Sequence, residues 1–156
     1  MVLKIKKKVV VTGTFDLLHP GHSFLINKAA KLGEVYVIIA RDANVKKFKG
    51  TYPTITEDQR LEMVQSLKNV KKAVMGMQDS DYFKIIEEIN PDIIMLGPNQ
   101  KISIDMVKEG LKEKDLKQVE VIRLEKLYDK YELHSSSLIK QKIINNSSKY
   151  KKENSL

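Results

Sequence analysis

Several short segments of this chain are apolar without interruption, and that pattern limits the fold more than any other feature. Val35-Tyr36-Val37-Ile38-Ile39 and Ile93-Ile94-Met95-Leu96 carry no alternation of apolar and polar residues. A strand with one face in water alternates; a strand covered on both faces, as in a parallel sheet under helices, does not. Strands are expected at Lys8 to Thr12, Glu34 to Ala40, Lys72 to Met75, Asp92 to Leu96 and Val119 to Leu124. Helical patterns separate them. Ser23 to Leu32 is amphipathic and is closed by Gly33; Thr56-Glu57-Asp58-Gln59 reads as a capping box ahead of Leu61, Val64 and Leu67. A third helix begins near Ser80 and stops at Asn90-Pro91; a fourth runs from about Ser103 to Lys114 with Met106, Val107 and Leu111 inward; the last spans Ser135 to about Asn145. The segment from Asp42 to about Thr56 is expected to be a loop. Alternating strands and helices predict an α/β fold, a Rossmann-like doubly wound parallel sheet of five strands, with ligand at the carboxyl ends of the strands. Residues 1–145 form the single domain, and 146–156 a basic, frayed tail.

The chemistry concentrates where the first strand turns into the first helix. Gly13-Thr14-Phe15-Asp16-Leu17-Leu18-His19-Pro20-Gly21-His22 follows Val9-Val10-Val11. A helix start offers unpaired N–H groups and partial positive charge, both of which favour phosphate. His19 and His22 add two imidazole donors, while Pro20 fixes φ and Gly21 permits a tight approach. A polyphosphate is the natural ligand; structural or capping histidines are the plainer account of the same residues. Arg41 and Asp42, and Gly97-Pro98-Asn99-Gln100, also follow strand ends and belong to the same expected pocket.

The pair Gly13-Thr14-Phe15-Asp16 and His19-Pro20-Gly21-His22 resembles the signature of the HxGH nucleotidyltransferases, the cytidylyltransferase-like superfamily. Ser135-Ser136-Ser137-Leu138-Ile139-Lys140 is similar to that superfamily's C-terminal Ser/Thr-rich motif. Within the superfamily, Ala40 to Gly50 and Leu96 to Gln100 look most like archaeal FAD synthases, which transfer AMP from ATP to FMN and release pyrophosphate. The resemblance covers roughly residues 8–145. It implies that His19 and His22 bind the triphosphate, with His22 stabilising the transition state. Thr14 and Phe15 would contact the nucleotide, alongside Pro20 and Gly21, and Ser135, Ser136 and Ser137 would close on the β- and γ-phosphates. Lys140 keeps the charge of an Arg found in relatives but not its fork. Of the lysines at 46, 47 and 49, the resemblance points to Lys46 as catalytic, with Lys49 next as a substrate contact, although a lysine run is equally a solvated surface.

The same resemblance places Arg60 near nucleotide or acceptor, with a surface ion-pair role as the alternative. Asp16 would orient Mg²⁺ or a lysine, or simply cap the turn. Asn99 offers an amide able to read a purine edge. Tyr128 is placed to stack on base or flavin, or to pack as a half-buried ring. His134, immediately before the serine motif, would assist it or serve as a local cap. The divalent cation, Mg²⁺, is expected to arrive with ATP rather than on protein ligands. A CTP-dependent enzyme such as a glycerol-3-phosphate cytidylyltransferase is the competing enzymatic reading, and a regulatory nucleotide-binding protein without turnover is the non-enzymatic one.

Composition removes other classes. With no cysteine there is no disulfide, thiolate metal site or cysteine nucleophile. The net charge of +8 is assigned to a basic nucleotide pocket and a lysine-rich surface, not to nucleic-acid binding, because no RNA- or DNA-binding motif accompanies it. No apolar run approaches a membrane span, so a cytoplasmic location without membrane attachment is expected. Family resemblance also suggests a homodimer.

Overall fold

The computed structural model describes residues 5–79 and 81–153. Five parallel strands, β1 (Lys8–Gly13), β2 (Glu34–Ile39), β3 (Val70–Met75), β4 (Ile93–Leu96) and β5 (Glu120–Arg123), form one sheet in the order β3-β2-β1-β4-β5. The chain winds outward from β1 to β3, then crosses back to place β4 on the other side of β1. The carboxyl ends of β1 and β4 therefore flank the point where the winding reverses, and a crevice opens there.

Both faces of the sheet are covered, as the uninterrupted apolar runs predict. The helices are α1 (Pro20–Ala30), α2 (Asp42–Lys49), α3 (Glu57–Gln65), α4 (Lys84–Ile89), α5 (Ile104–Glu113), α6 (Ser136–Asn145) and α7 (Ser147–Glu153). Val9, Val11, Val35, Val37, Ile39 and Met95 pack under α1 and α3 through Leu25, Ile26, Ala29 and Val64. Val10, Ile38, Ile94, Leu96 and Val121 face the other way, onto Ile86 and Ile89 of α4 and Val107 and Leu111 of α5. Burying each of these branched side chains contributes roughly 1.5–3 kcal/mol before conformational entropy is subtracted. By contrast α6 and α7 bury no residue.

Several boundaries differ from expectation. The helix after β1 starts at Pro20 rather than Ser23, because His19 caps it and proline suits its first position. It ends at Ala30, and Gly33 serves a different purpose: a Cβ there would lie 2.1 Å from the Lys7 carbonyl oxygen, so only glycine lets the chain pass. The expected loop after β2 begins with α2, which has only Val45 buried. Asp42 in its first turn and Lys46, Lys47 and Lys49 in its last suit the helix dipole, and Gly50 ends it at φ 81°.

Thr56 caps α3 by backbone conformation alone; its hydroxyl donates to Gln59 Oε1 at 3.0 Å, so the expected capping box does not form. The third expected helix starts at Lys84, later than proposed, and Ser80 lies outside the described residues. Asn90 ends it in the left-handed conformation at φ 49°. In α5 Val107 and Leu111 are buried as expected, whereas Met106 is 62% exposed. The tail expected to fray is helical from Ser147 to Glu153. Among the described residues no helix is long and apolar enough to cross a membrane.

Candidate active site

The turn after β1 is shaped by a side chain rather than by glycine flexibility. Phe15 adopts φ 51°, a left-handed conformation uncommon for a non-glycine residue, and its ring is 2% exposed. The ring folds back over Gly13, where a Cβ would come within 2.8 Å of it. Its other neighbour is His22, with ring centroids 5.0 Å apart. Gly21 answers a similar demand: a Cβ there would meet the His19 ring at 2.9 Å.

The backbone at the start of α1 is largely spent. Pro20 has no N–H, Gly21 N donates to His19 Nδ1 at 3.1 Å, and His22 N donates to the His19 carbonyl at 3.0 Å. This corrects the expectation of free N–H groups there and transfers the donor role to the imidazoles. Because His19 Nδ1 accepts a hydrogen bond, the neutral ring carries its proton on Nε2, which can donate outward. The His22 ring lies 3.8 Å from that of His19, and its Nδ1 is buried without a hydrogen-bond partner. Burial, then the neighbouring His19 and Lys49 charges, push the His22 pKa down to about 3. Burial first, and His134 second, hold His19 below the usual histidine value. At neutral pH both rings are neutral hydrogen-bonding groups.

Lysine 49, not Lys46, is the lysine brought to this turn. Lys49 Nζ donates to Thr14 Oγ1 at 3.0 Å, whereas Lys46 Nζ lies over the exposed Tyr52 ring, 5.3 Å from its centroid. Partial desolvation and then the nearby Lys140 charge pull the Lys49 ammonium below its ordinary value. Lys140 comes from α6 and pairs with Asp16 at 2.6 Å. Asp16 also accepts from Thr54 N at 3.0 Å and Ile55 N at 2.9 Å. Its carboxyl lies below the usual range: burial opposes ionisation, and the Lys140 and backbone hydrogen bonds outweigh it. Among the described residues no group of three or more His, Cys, Asp or Glu side chains is placed to hold a metal ion. The lysine expected beside Asp16 is Lys140.

Arg60, Arg41 and Asp42 fasten the ends of the strands to the helices that follow. Arg60 is 1% exposed. Its guanidinium donates to the carbonyls of Thr14, of Ala40 at 2.7 Å and of Ile55 at 3.0 Å, and to Asp42 Oδ1 at 2.7 Å. One side chain thereby ties the ends of β1 and β2 to the start of α3. Arg41 pairs with Glu57 at 2.9 Å and donates to the Gly76 carbonyl, while Asp42 and Glu57 accept from each other's backbone N–H. The buried, multiply bonded Arg corrects its placement beside nucleotide or acceptor.

At the start of α6, Ser135 Oγ caps the helix by accepting from Leu138 N at 3.2 Å, and Ser136 Oγ donates to the Leu17 carbonyl at 3.0 Å. Ser137 is exposed. The serine run thus meets the first turn across more than a hundred residues of sequence, with Ser136 holding the two together. His134 Nδ1 is bonded locally to the Tyr131 carbonyl at 2.8 Å. Tyr128 stacks on Phe24 of α1, with centroids 4.8 Å apart and planes 23° apart, so one face of the ring is already covered.

On the β4 side, Asn99 is exposed at the tip of its turn, and Gln100 points inward. Gln100 Oε1 accepts from Gly97 N at 2.7 Å, and its Nε2 donates to the Thr12 carbonyl at 2.8 Å, joining the ends of β4 and β1. Arg123, which sequence reasoning passed over, donates to the carbonyls of Gly97 at 2.8 Å, Gln100 at 3.0 Å and Ile102. Its only signal was a cation at the carboxyl end of a short strand, directly after the apolar pair Val121-Ile122.

Comparisons with known proteins agree with this geometry. The cytidylyltransferase-like family model matches residues 10–142. FAD synthase from Methanobrevibacter smithii is 47% identical over 141 residues, covering 88% of this chain and 90% of its own. FAD synthase from Methanosphaerula palustris is 47% identical over 139 residues, covering 88% of each chain. Among solved structures, the lipopolysaccharide core biosynthesis protein from Thermoplasma volcanium is similar, with a TM-score of 0.73, 34% identity and coverage of 80% of this chain and 99% of its own. A protein of unknown function from Archaeoglobus fulgidus shares the fold at a TM-score of 0.58 and 17% identity, covering 75% of this chain and 88% of its own. A phosphate-type turn after β1, met by a serine-capped helix from the far end of the sequence, is thus set in a chain matched along most of its length, and the chain belongs to the cytidylyltransferase-like family.

Proposed function

We propose that this nucleotidyltransferase is an FAD synthase: an oxygen of the FMN phosphate attacks the α-phosphorus of ATP, a new P–O bond forms, and the bond to the β-phosphate breaks to release pyrophosphate. The relatives named FAD synthase, similar over nearly nine-tenths of the chain, carry the choice of substrates. The site carries the chemistry. Two neutral imidazoles and two lysines converge on one turn, and the Lys49 and Lys140 charges repel each other there. An anion relieves that repulsion, so ligand charge and protein charge stabilise each other.

In this reading, His19 donates from Nε2 to a phosphate oxygen, and His22 hydrogen-bonds the charge that develops on the leaving pyrophosphate. Phosphoryl-type transfer of this kind needs positioning and electrostatic stabilisation more than covalent help. Lys49 orients the acceptor phosphate, a role taken over from Lys46. Ser137 and the exposed start of α6 receive the β- and γ-phosphates, beside Lys140. Asn99 faces the adenine, on a turn that Gln100 and Arg123 hold rigid. Mg²⁺ enters as part of the ATP substrate, since Asp16 is committed to Lys140 and two backbone N–H groups.

The test is pyrophosphate release from the purified protein with Mg²⁺, crossing ATP and CTP against FMN and glycerol 3-phosphate. Release with ATP and FMN, with FAD formed, is expected. Release with CTP alone overturns the choice of nucleotide and leaves the phosphate-site assignments in place.

A further inference from the structure

One stripe of α2 runs along the segment between β3 and α4, and its last rung does not fit a purely structural seam. Arg41 Nε donates to the Gly76 carbonyl at 2.9 Å and Asn44 Nδ2 donates to the Met77 carbonyl at 2.8 Å. Phe48, one further turn along the same face, meets Tyr82, with ring centroids 6.0 Å apart and planes inclined by 56°. The first two rungs are partly buried hydrogen bonds, whereas Phe48 is 67% and Tyr82 37% exposed. Two aromatic rings are thus held together in water at the rim where ligands of this fold bind.

Their surroundings identify a ligand. The residue after Phe48 is Lys49, whose ammonium reaches Thr14 in the phosphate turn, and the Lys47 ammonium lies 6.0 Å from the Phe48 ring centroid. A cation held at the β1 turn, and next to it in the sequence an exposed ring that pairs with Tyr82 of the neighbouring segment, suit a molecule with a phosphate at one end and a broad flat ring at the other. The sheet order supplies a second, independent argument. The base-reading turn follows β4, on one side of β1, while α2 and the β3–α4 segment lie on the other side. A nucleotide extending from the β1 turn toward β4 leaves the β2–β3 side to the acceptor.

We infer that Phe48 and Tyr82 form the platform on which the isoalloxazine ring of the acceptor stacks, making this pair the device that selects a flavin over acceptors with only a polar phosphate. The inference rests on the FAD synthase reading. Steady-state FAD formation at saturating Mg²⁺, varying FMN at saturating ATP and ATP at saturating FMN, tests it with Phe48→Ala, Tyr82→Ala and Phe48→Trp. Each alanine variant is expected to raise KM for FMN about tenfold, the scale of a lost ring-on-ring stack, with KM for ATP unchanged. Phe48→Trp is expected to keep KM for FMN near that of the wild type. Unchanged KM for FMN in both alanine variants overturns the platform alone, as does a parallel rise in KM for ATP and FMN with loss of thermal stability, which would mark the pair as a plain seam. Absence of FAD formation by the wild-type protein removes the functional reading and the platform with it.

Discussion

The two segments that meet in the active site are anchored in opposite ways. The turn from Thr14 to His22 follows a strand whose Val9, Val10 and Val11 are fully buried, rests on the buried Phe15 ring, and is clamped by Arg60. The α6 helix, which brings Ser137 and Lys140 to the same place, buries no residue and meets that turn through the Ser136–Leu17 hydrogen bond and the Lys140–Asp16 ion pair. One side of the site is preorganised by the core. The other is held by polar contacts whose net worth is on the order of 1 kcal/mol apiece, so it is the side expected to exchange its amides faster.

Breaking the rigid side should produce the largest effect. Arg60→Met retains bulk but leaves three carbonyls and Asp42 without their donor, and a loss of about 3–5 kcal/mol in urea unfolding is expected. A loss below about 1 kcal/mol would show that the clamp is dispensable. Next comes the chemistry of the same turn. His22→Ala is expected to lower kcat by roughly 10²–10³ while the folded structure persists by circular dichroism. Wild-type turnover in that variant would remove His22 from the transition state.

Loosening the side held by polar contacts should cost less and look different. Lys140→Ala removes the ion pair but leaves Asp16 with its two backbone donors, so global stability should barely change. Amide exchange in residues 136–145 should accelerate and KM for ATP should rise about tenfold, with the β1 turn unaffected. Equal acceleration in both segments would erase the contrast between them.

What could be read from the sequence follows the same division. The uninterrupted runs at Val35–Ile39 and Ile93–Leu96 report burial on both faces, so the sheet and its parallel sense were legible, and the His19–His22 spacing located the turn. Polar fasteners were not. Arg60 looked like a substrate contact because nothing local shows that its partners are carbonyls of Thr14, Ala40 and Ile55. Helix α2 was hidden by its lysines and its single buried residue, although Gly50 marked its end. Once that segment is helical, Lys46 and Lys49 sit about one turn apart along it, and only Lys49, at its last residue, reaches Thr14, while Lys46 lies over Tyr52. Met106 faces water for a related reason: apolar identity does not set the direction of a side chain when Val107 and Leu111 already cover the sheet.

The smallest effect offers the sharpest test of the contrast, because it involves titration on the rigid side alone. Folding lowers the His22 pKa to about 3, against about 6.5 in an unfolded chain. In that interval the unfolded chain takes up a proton that the folded protein refuses, so the histidine's contribution is complete above pH 6.5 and is lost progressively as pH falls toward 3. Between pH 7 and pH 5.5 the loss should be about 1 kcal/mol in the ligand-free protein. His22→Gln should flatten this slope without abolishing it, because His19 is shifted in the same direction. Asp16, also lowered by folding, acts only below the ordinary carboxylate range and does not enter this window. Exchange in α6 should stay constant over the same interval, since the Asp16 carboxyl, held below its ordinary range, stays ionised across it. A wild-type slope equal to that of His22→Gln would mean that His22 is solvated in the folded protein, and the turn would then be no more preorganised than the arm that closes on it.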